Sequence, residues 1–175
     1  MRSESTTGGP AAPRAPVEAV AEQEAGLRAL FAGEYEAMVR LAFVLVNDRH
    51  DAEEIVQDAF VDLQARWSAV LNPGGYLRTA VVNGARRRGR RERRRSDILH
   101  RFERTIVGEA ASIDVYDHTL DALEVLPERQ HTALVLAYYV GLSSSEIAEV
   151  LGCRPGTAKS LVHRGLQRLR KEMDR

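Results

Sequence analysis

Cysteine is almost absent from this chain of 175 residues. Cys153 stands alone, which excludes an intrachain disulfide and an all-cysteine metal site and suits a reducing compartment. Net charge is absent too, because 25 basic and 25 acidic residues cancel. Taken whole, that balance argues against a general polyanion binder. No apolar run approaches the roughly 20 residues that span a bilayer. The opening MRSESTTGGPAAPRAPVEAVAEQEAG lacks the apolar stretch of a signal peptide. Gly74-Gly75 lacks the spacing of a phosphate-cradling loop. The five histidines (50, 100, 118, 131 and 163) make no HxxxH pair for a metal. No nucleophile and base fall into a catalytic pattern. The expectation is a cytoplasmic protein with no membrane insertion, no metal, no cofactor and no enzymatic activity of its own.

What is present is helical. Hydrophobic residues make up 44% of the chain, enough for a packed core. No segment alternates apolar and polar residues over the length of a strand. The fold class expected is all-α, as two small helical domains joined by a flexible linker. Residues 1–22, rich in Gly, Pro, Ala, Ser and Thr, read as a disordered tail. Residues 23–95 form the first domain, 96–117 the linker and 118–175 the second domain.

In the first domain a helix is expected over about Ala25–Val46, with Leu27, Leu30, Phe31, Met38, Leu41, Ala42 and Leu45 inward. Ala52, Ile55, Val56, Ala59, Phe60, Leu63 and Trp67 follow a helical period closely, leaving Glu53, Glu54, Gln57, Asp58 and Asp62 outward. A third helix begins near Gly75, with Leu77, Ala80, Val81 and Ala85 inward, and runs into RRRGRRERRR. Gly84 and Gly89 lie in that helix and cost roughly 1 kcal/mol each relative to alanine. In the second domain a short helix is expected over Tyr116–Leu126 and another over Pro127–Val140, ended by Gly141. Ser143 to Ser145 offer a cap for Glu146–Leu151. Gly152 ends that helix, and Pro155 opens the last, to about Glu172.

Counted by segment, the charges no longer cancel. Residues 26–85 sum to −3, 86–104 to +7, 105–125 to −5 and 126–175 to +3. The pair Glu146–Leu151 and Pro155–Glu172 has helix-turn-helix spacing, with Ala158, Leu161, Val162, Gly165, Leu166 and Leu169 inward. Arg154, Thr157, Lys159, Ser160, His163 and Arg164 lie off that stripe and can donate to phosphates and base edges. The plainer reading is a helical hairpin with a solvated face.

The arginine block, including Arg86, Arg87 and Arg88, suits a polyanion. It also reads as a solvated run, an RNA-binding patch or a membrane-surface patch. Trp67 and Tyr76 flank the loop before the third helix, where aromatics suit extruded bases; Trp67 also completes the core stripe. The acids of the second helix are either a solvated face or a docking face for a basic helix. Segment 105–125 is a solvated linker or an anionic strand lying in a basic channel. His50 reads as a helix-start residue, and Cys153 as structural or as a redox sensor.

Three segments carry a family resemblance: DAEEIVQDAFVDLQARW, NPGGYLRTAVVNGARRR and LPERQHTALVLAYYVGLSSSEIAEVLGCRPGTAKSLVHRGLQRLR. Together they resemble an extracytoplasmic-function sigma factor, the minimal two-domain form of the sigma-70 family, and are most similar to its actinobacterial SigE-like group. The resemblance covers about residues 25–172. It implies that Glu53, Glu54, Gln57, Asp58 and their neighbours dock on the beta-prime clamp helices of core RNA polymerase. It implies that the third helix, with Asn83 on its DNA side, opens and reads the minus-ten promoter element. The linker would thread toward the active-centre cleft. The helix-turn-helix would read the minus-thirty-five element beside the beta flap, and an anti-sigma factor is a candidate partner. The family often carries arginine where this chain has Val82. Two other classes remain open from the residues alone: a stand-alone helix-turn-helix regulator and an RNA-binding adaptor.

Overall fold

The computed structural model describes residues 16–99, 123 and 125–173, and among them there are helices and turns but no strand. Helix α1 (Pro16–Val46) starts well before Ala25. Pro16 suits a first helical turn, and Glu18, Ala19, Ala21, Glu22 and Gln23 are good helix formers. The end of the expected tail is therefore helical; residues 1–15 lie outside the described residues. Asn47 stops α1 in the left-handed region, φ 53°, and its N–H donates to the Phe43 carbonyl at 2.7 Å.

Asp48 caps α2 (Arg49–Arg66), its carboxylate accepting from the Asp51 N–H at 2.7 Å. The apolar stripe is buried as its period requires: Ala52, Ile55, Val56, Ala59, Phe60 and Leu63. A fully buried leucine such as Leu63 contributes roughly 1.5–3 kcal/mol. Trp67 opens a 3-10 turn (Trp67–Ala69) and lies against α1 at Gly26, where a Cβ would sit 2.7 Å from its Cζ2. Its half-buried ring packs against the core, as the apolar stripe requires. Phe31, expected inward, is 46% exposed. It stacks on Tyr35 with ring centres 4.5 Å apart and leans on Phe60 at 5.0 Å.

Helix α3 (Pro73–Leu99) is opened by Asn72, whose Oδ1 accepts from the Gly75 N–H at 2.9 Å. It passes unbroken through Gly84 and Gly89 and continues beyond the expected linker start at 96. Gly84 has a packing reason: a Cβ there would come within 2.8 Å of Ile55 Cγ2. Glycine lets the Ile55 side chain of α2 lie directly on the α3 backbone, which offsets its poor helix propensity. Leu77, Val81 and Ala85 are buried as expected; Val82 joins them, and Ala80 is only half-buried. These three helices pack pairwise into a bundle. The rest of the expected linker lies outside the described residues. So does the helix expected from Tyr116, apart from Leu123, Val125 and Leu126.

Pro127 is the cap of α4 (Glu128–Leu134) and not its first residue, because its ψ of 136° is non-helical, while its carbonyl accepts from the N–H groups of Gln130 and His131, at 2.8 and 3.0 Å. The helix does not stay regular to Val140. Val135–Tyr139 are π-helical, and Tyr138 and Tyr139 face solvent. Gly141, φ 80°, ends the segment. Helix α5 (Ser144–Leu151) and helix α6 (Pro155–Met173) follow. Gly165 sits where α6 crosses α4; a Cβ there would lie 3.0 Å from Leu134 and 3.3 Å from the Gln130 carbonyl. The buried apolar residues of both halves form one contiguous cluster. Helix α3 touches α4 and α5, and α1 touches the π segment.

Candidate nucleic-acid interface

The α5–turn–α6 unit is built by local chemistry. Ser143 and Glu146 form a reciprocal capping box at the start of α5. The Ser143 N–H donates to Glu146 Oε2 at 2.8 Å, and the Glu146 N–H donates to Ser143 Oγ at 3.3 Å. Hydrogen bonding to the Ser143 side chain, then to its backbone N–H, holds the Glu146 carboxyl below its usual pKa, and the charge of Arg78 adds to this. Gly152 ends α5 in the left-handed region at φ 58°. The next N–H, of Cys153, turns back to the Ala148 carbonyl at 2.9 Å. The Arg154 carbonyl then accepts from Thr157 and Ala158, at 2.9 and 3.1 Å, and starts α6.

On α6, Ala158, Leu161 and Gly165 are buried. All six residues singled out in the sequence, Arg154, Thr157, Lys159, Ser160, His163 and Arg164, are solvent-exposed. Ser160 Oγ donates to the Gly156 carbonyl at 2.8 Å, and Arg164 Nε to the Ser160 carbonyl at 3.2 Å. These are bonds within the helix, so most donors on this face point to water. A helix with such an exposed polar edge can enter a major groove. Cys153, half-buried, lies in the turn.

The arginines of α3 are placed differently. Successive helical residues turn by about 100°, so three consecutive arginines leave in three directions. Arg86 Nε meets Glu128 Oε1 of α4 at 2.9 Å, with side chains 19% and 20% exposed. Arg90 reaches the same oxygen at 3.4 Å. Arg88 turns onto α2, where it binds both carboxylate oxygens of Asp51 and, at 3.0 Å, Glu54 Oε2. The Asp51 bond is the main cause of a raised Arg88 pKa. Arg87 is exposed and, with Arg88 and Arg91, lines one wall of a groove whose other wall carries Glu54, Asp58 and Asp62. Ile55, Ala59, Ala80 and Gly84 contribute its apolar lining. Tyr76 and Asn83 are half-buried, and Tyr76 packs against the core.

On α2, Glu54, Gln57, Asp58 and Asp62 are exposed. Glu53 is half-buried and bonded to Arg49 at 2.9 Å, one turn before it. Exposed Val61 stands between Asp58 and Asp62, an apolar element of this face that the charge pattern did not single out. Two acids outside the expected set also matter: Glu128, which takes two arginines, and Glu146, near Arg78. Arg86 and Glu128 are 42 positions apart, and no local pattern signals their meeting. His50 is exposed at the start of α2. Among the described residues no His, Cys, Asp and Glu cluster could hold a metal, and no helix is long and apolar enough to cross a membrane.

Residues 30–95 match the model for sigma-70 region 2, and residues 119–169 match that for sigma-70 region 4. The chain is 31% identical over 148 residues to the RNA polymerase sigma-E factor of Streptomyces avermitilis, covering 79% of this chain and 80% of that one. It is 33% identical over 150 residues to the SigE extracytoplasmic-function sigma factor of Mycolicibacterium smegmatis, covering 77% and 56%. Among solved structures it is similar to the sigma factor RpoE of Bartonella quintana in complex with the anti-sigma factor NepR. That match has a TM-score of 0.69 and 25% identity, over 85% of this chain and 97% of the other. A match to CnrH in complex with the cytosolic domain of CnrY, at 21% identity and a TM-score of 0.64 over 90% and 94%, shows the shared fold.

Proposed function

The chain belongs to the sigma-70 family, as a SigE-like RNA polymerase sigma factor that directs transcription initiation, and we propose how its surfaces divide that task. The first domain, residues 23–95, docks on core polymerase through the acidic face of α2: Glu53, Glu54, Gln57, Asp58 and Asp62. Its receptor is a basic helical surface, the beta-prime clamp helices by family resemblance. Helix α3 and the loop before it open the minus-ten element, with Tyr76 and Asn83 on the base side and Arg86, Arg87 and Arg88 toward phosphates. Residues 96–117 link the domains. The second domain, residues 118–175, reads the minus-thirty-five element with Arg154, Thr157, Lys159, Ser160, His163 and Arg164, beside the beta flap. The protein works in the cytoplasm, carries out no chemistry itself, and is held in reserve by an anti-sigma factor.

The observation that carries this reading is the exposed acidic face of α2 in a chain that also presents an exposed polar recognition helix. A stand-alone regulator has use for the second surface and none for the first. Asp58→Arg tests it. A like charge placed in a charge-complementary interface costs several kcal/mol, so core affinity should fall by about 10-fold or more. Run-off transcription should be lost, while duplex binding by the free protein stays intact. Unchanged affinity for core would remove α2 from the docking surface.

A further inference from the structure

Arg86 and Arg90 are spent on a contact that no promoter-reading role requires. They stand one turn apart on α3, and both guanidinium groups meet Glu128 Oε1, at the first turn of α4. The carboxylate sits at a helix N-terminus, where the helix dipole favours negative charge. Arg78 and fully buried Val82 continue the same line along α3, at spacings of four, and Arg78 lies close enough to Glu146 of α5 to depress its pKa. Thus one stripe of α3 faces two acids of the C-terminal half, over an apolar cluster that is continuous between the halves. The Arg86–Glu128 pair is about four-fifths buried on both sides, so salt and water screen it less than an open surface pair.

A carboxylate oxygen that takes N–H groups from two arginines offers what a phosphate oxygen offers. We propose that Glu128 is an internal phosphate mimic, which clasps Arg86 and Arg90 and holds the free protein closed against DNA. The inference rests on the reading that these arginines meet the DNA backbone. In the closed form the Arg86 Nε–H is held by Glu128 and its side chain is about four-fifths buried, so the two halves must part before the guanidinium can meet DNA in full. The apparent dissociation constant of the free protein is then its intrinsic value divided by the open fraction. Salt acts on both steps in opposite senses. It weakens binding by counterion release and favours opening by loosening the clasp. The closed protein should therefore show a shallower salt slope than one locked open.

Glu128→Gln keeps the size and helix propensity of the side chain and removes its charge. The full chain is labelled with a dye pair at Glu36→Cys and Glu149→Cys, in a Cys153→Ser background, and its energy transfer is measured. Binding to a fluorescein-labelled 30-base-pair duplex of random sequence is followed by anisotropy across a salt series. Glu128→Gln is expected to lower energy transfer and to tighten DNA binding about 5-fold near 50 mM salt, with the gain shrinking as salt rises. The charge exchange Arg86→Glu and Arg90→Glu with Glu128→Arg should restore energy transfer toward the wild-type value. Wild-type transfer in Glu128→Gln, or an exchange variant that stays open, overturns the clasp. If Glu128→Gln opens without tighter binding, gating is overturned, and Arg86→Ala with Arg90→Ala in that background shows which premise failed. Unchanged affinity in that variant means the arginines do not meet DNA; a fall means that they do and that the clasp does not gate them.

Discussion

The two basic helices, α3 and α6, present their charge in opposite ways. On α3 the arginines are dense, and three of them are answered within the protein: Arg86 and Arg90 by Glu128, Arg88 by Asp51 and Glu54. On α6 the charge is sparser, and Arg154, Thr157, Lys159, Ser160, His163 and Arg164 face solvent, with the Ser160 and Arg164 side chains bonded to carbonyls of their own helix. Charge density is therefore a poor guide to which donors are ready for a phosphate. Readiness depends on what each side chain already holds, because an arginine must give up one carboxylate before it takes another anion.

The largest expected effect breaks the comparison at α6. Lys159→Ala or Arg164→Ala should weaken binding to the upstream promoter element by about 1–3 kcal/mol if the contact is to a base edge. A wild-type footprint from both variants would erase the contrast with α3. The next effect separates two neighbours on α3. Arg88→Ala should lower stability by about 1 kcal/mol, the upper end for a screened pair, and leave the salt slope of DNA binding by the free protein as it was. Arg87→Ala should do the reverse, reducing that slope by about 1 with no change in melting temperature. Equal slopes in both variants would mean that placement around α3 does not sort its arginines.

The smallest effect lies at the start of the helix-turn-helix. Ser143→Ala removes the cap of α5 and should cost about 0.5–1 kcal/mol in urea denaturation. It should also change the pH dependence. Glu146 has a depressed pKa in the folded protein, so its contribution is full above the ordinary glutamate range and is lost as pH falls through the depressed value. Without Ser143, the wild-type loss of stability on acidification should be shallower over that window.

Much of this arrangement was legible in the sequence where it is local. The α2 stripe is buried at each position its period marked through Leu63, because a two-sided helix has only one way to hide its apolar residues. Ser143 to Ser145, Gly152 and Pro155 marked the ends of α5 and α6, since caps act within a few residues, and the structure selects Ser143 as the cap. The π segment was hidden, because its composition is that of an ordinary buried helix. The start of α1 was hidden by its Gly- and Pro-rich approach. Gly84 reads as a weakness in the sequence alone, because the side chain it makes room for, Ile55, belongs to another helix. The directions of Arg86, Arg87 and Arg88 could not be read from a run of identical residues, and the partner of Arg86 is far along the chain.

The Arg88 bridge has a thermodynamic consequence. Asp51 and Glu54 belong to the acidic side of α2, Arg88 to the basic side of α3, and Gly84 keeps the two helices in contact. A ligand that takes those carboxylates releases the guanidinium, and an anion that takes the guanidinium releases the carboxylates. Linkage is reciprocal, so whatever factor one ligand adds to the affinity of the other is returned in full. If core polymerase and promoter DNA take the opposite walls of this groove, as proposed above, each would find the site better prepared by the other. The order of arrival then leaves the final affinity of the ternary complex unchanged.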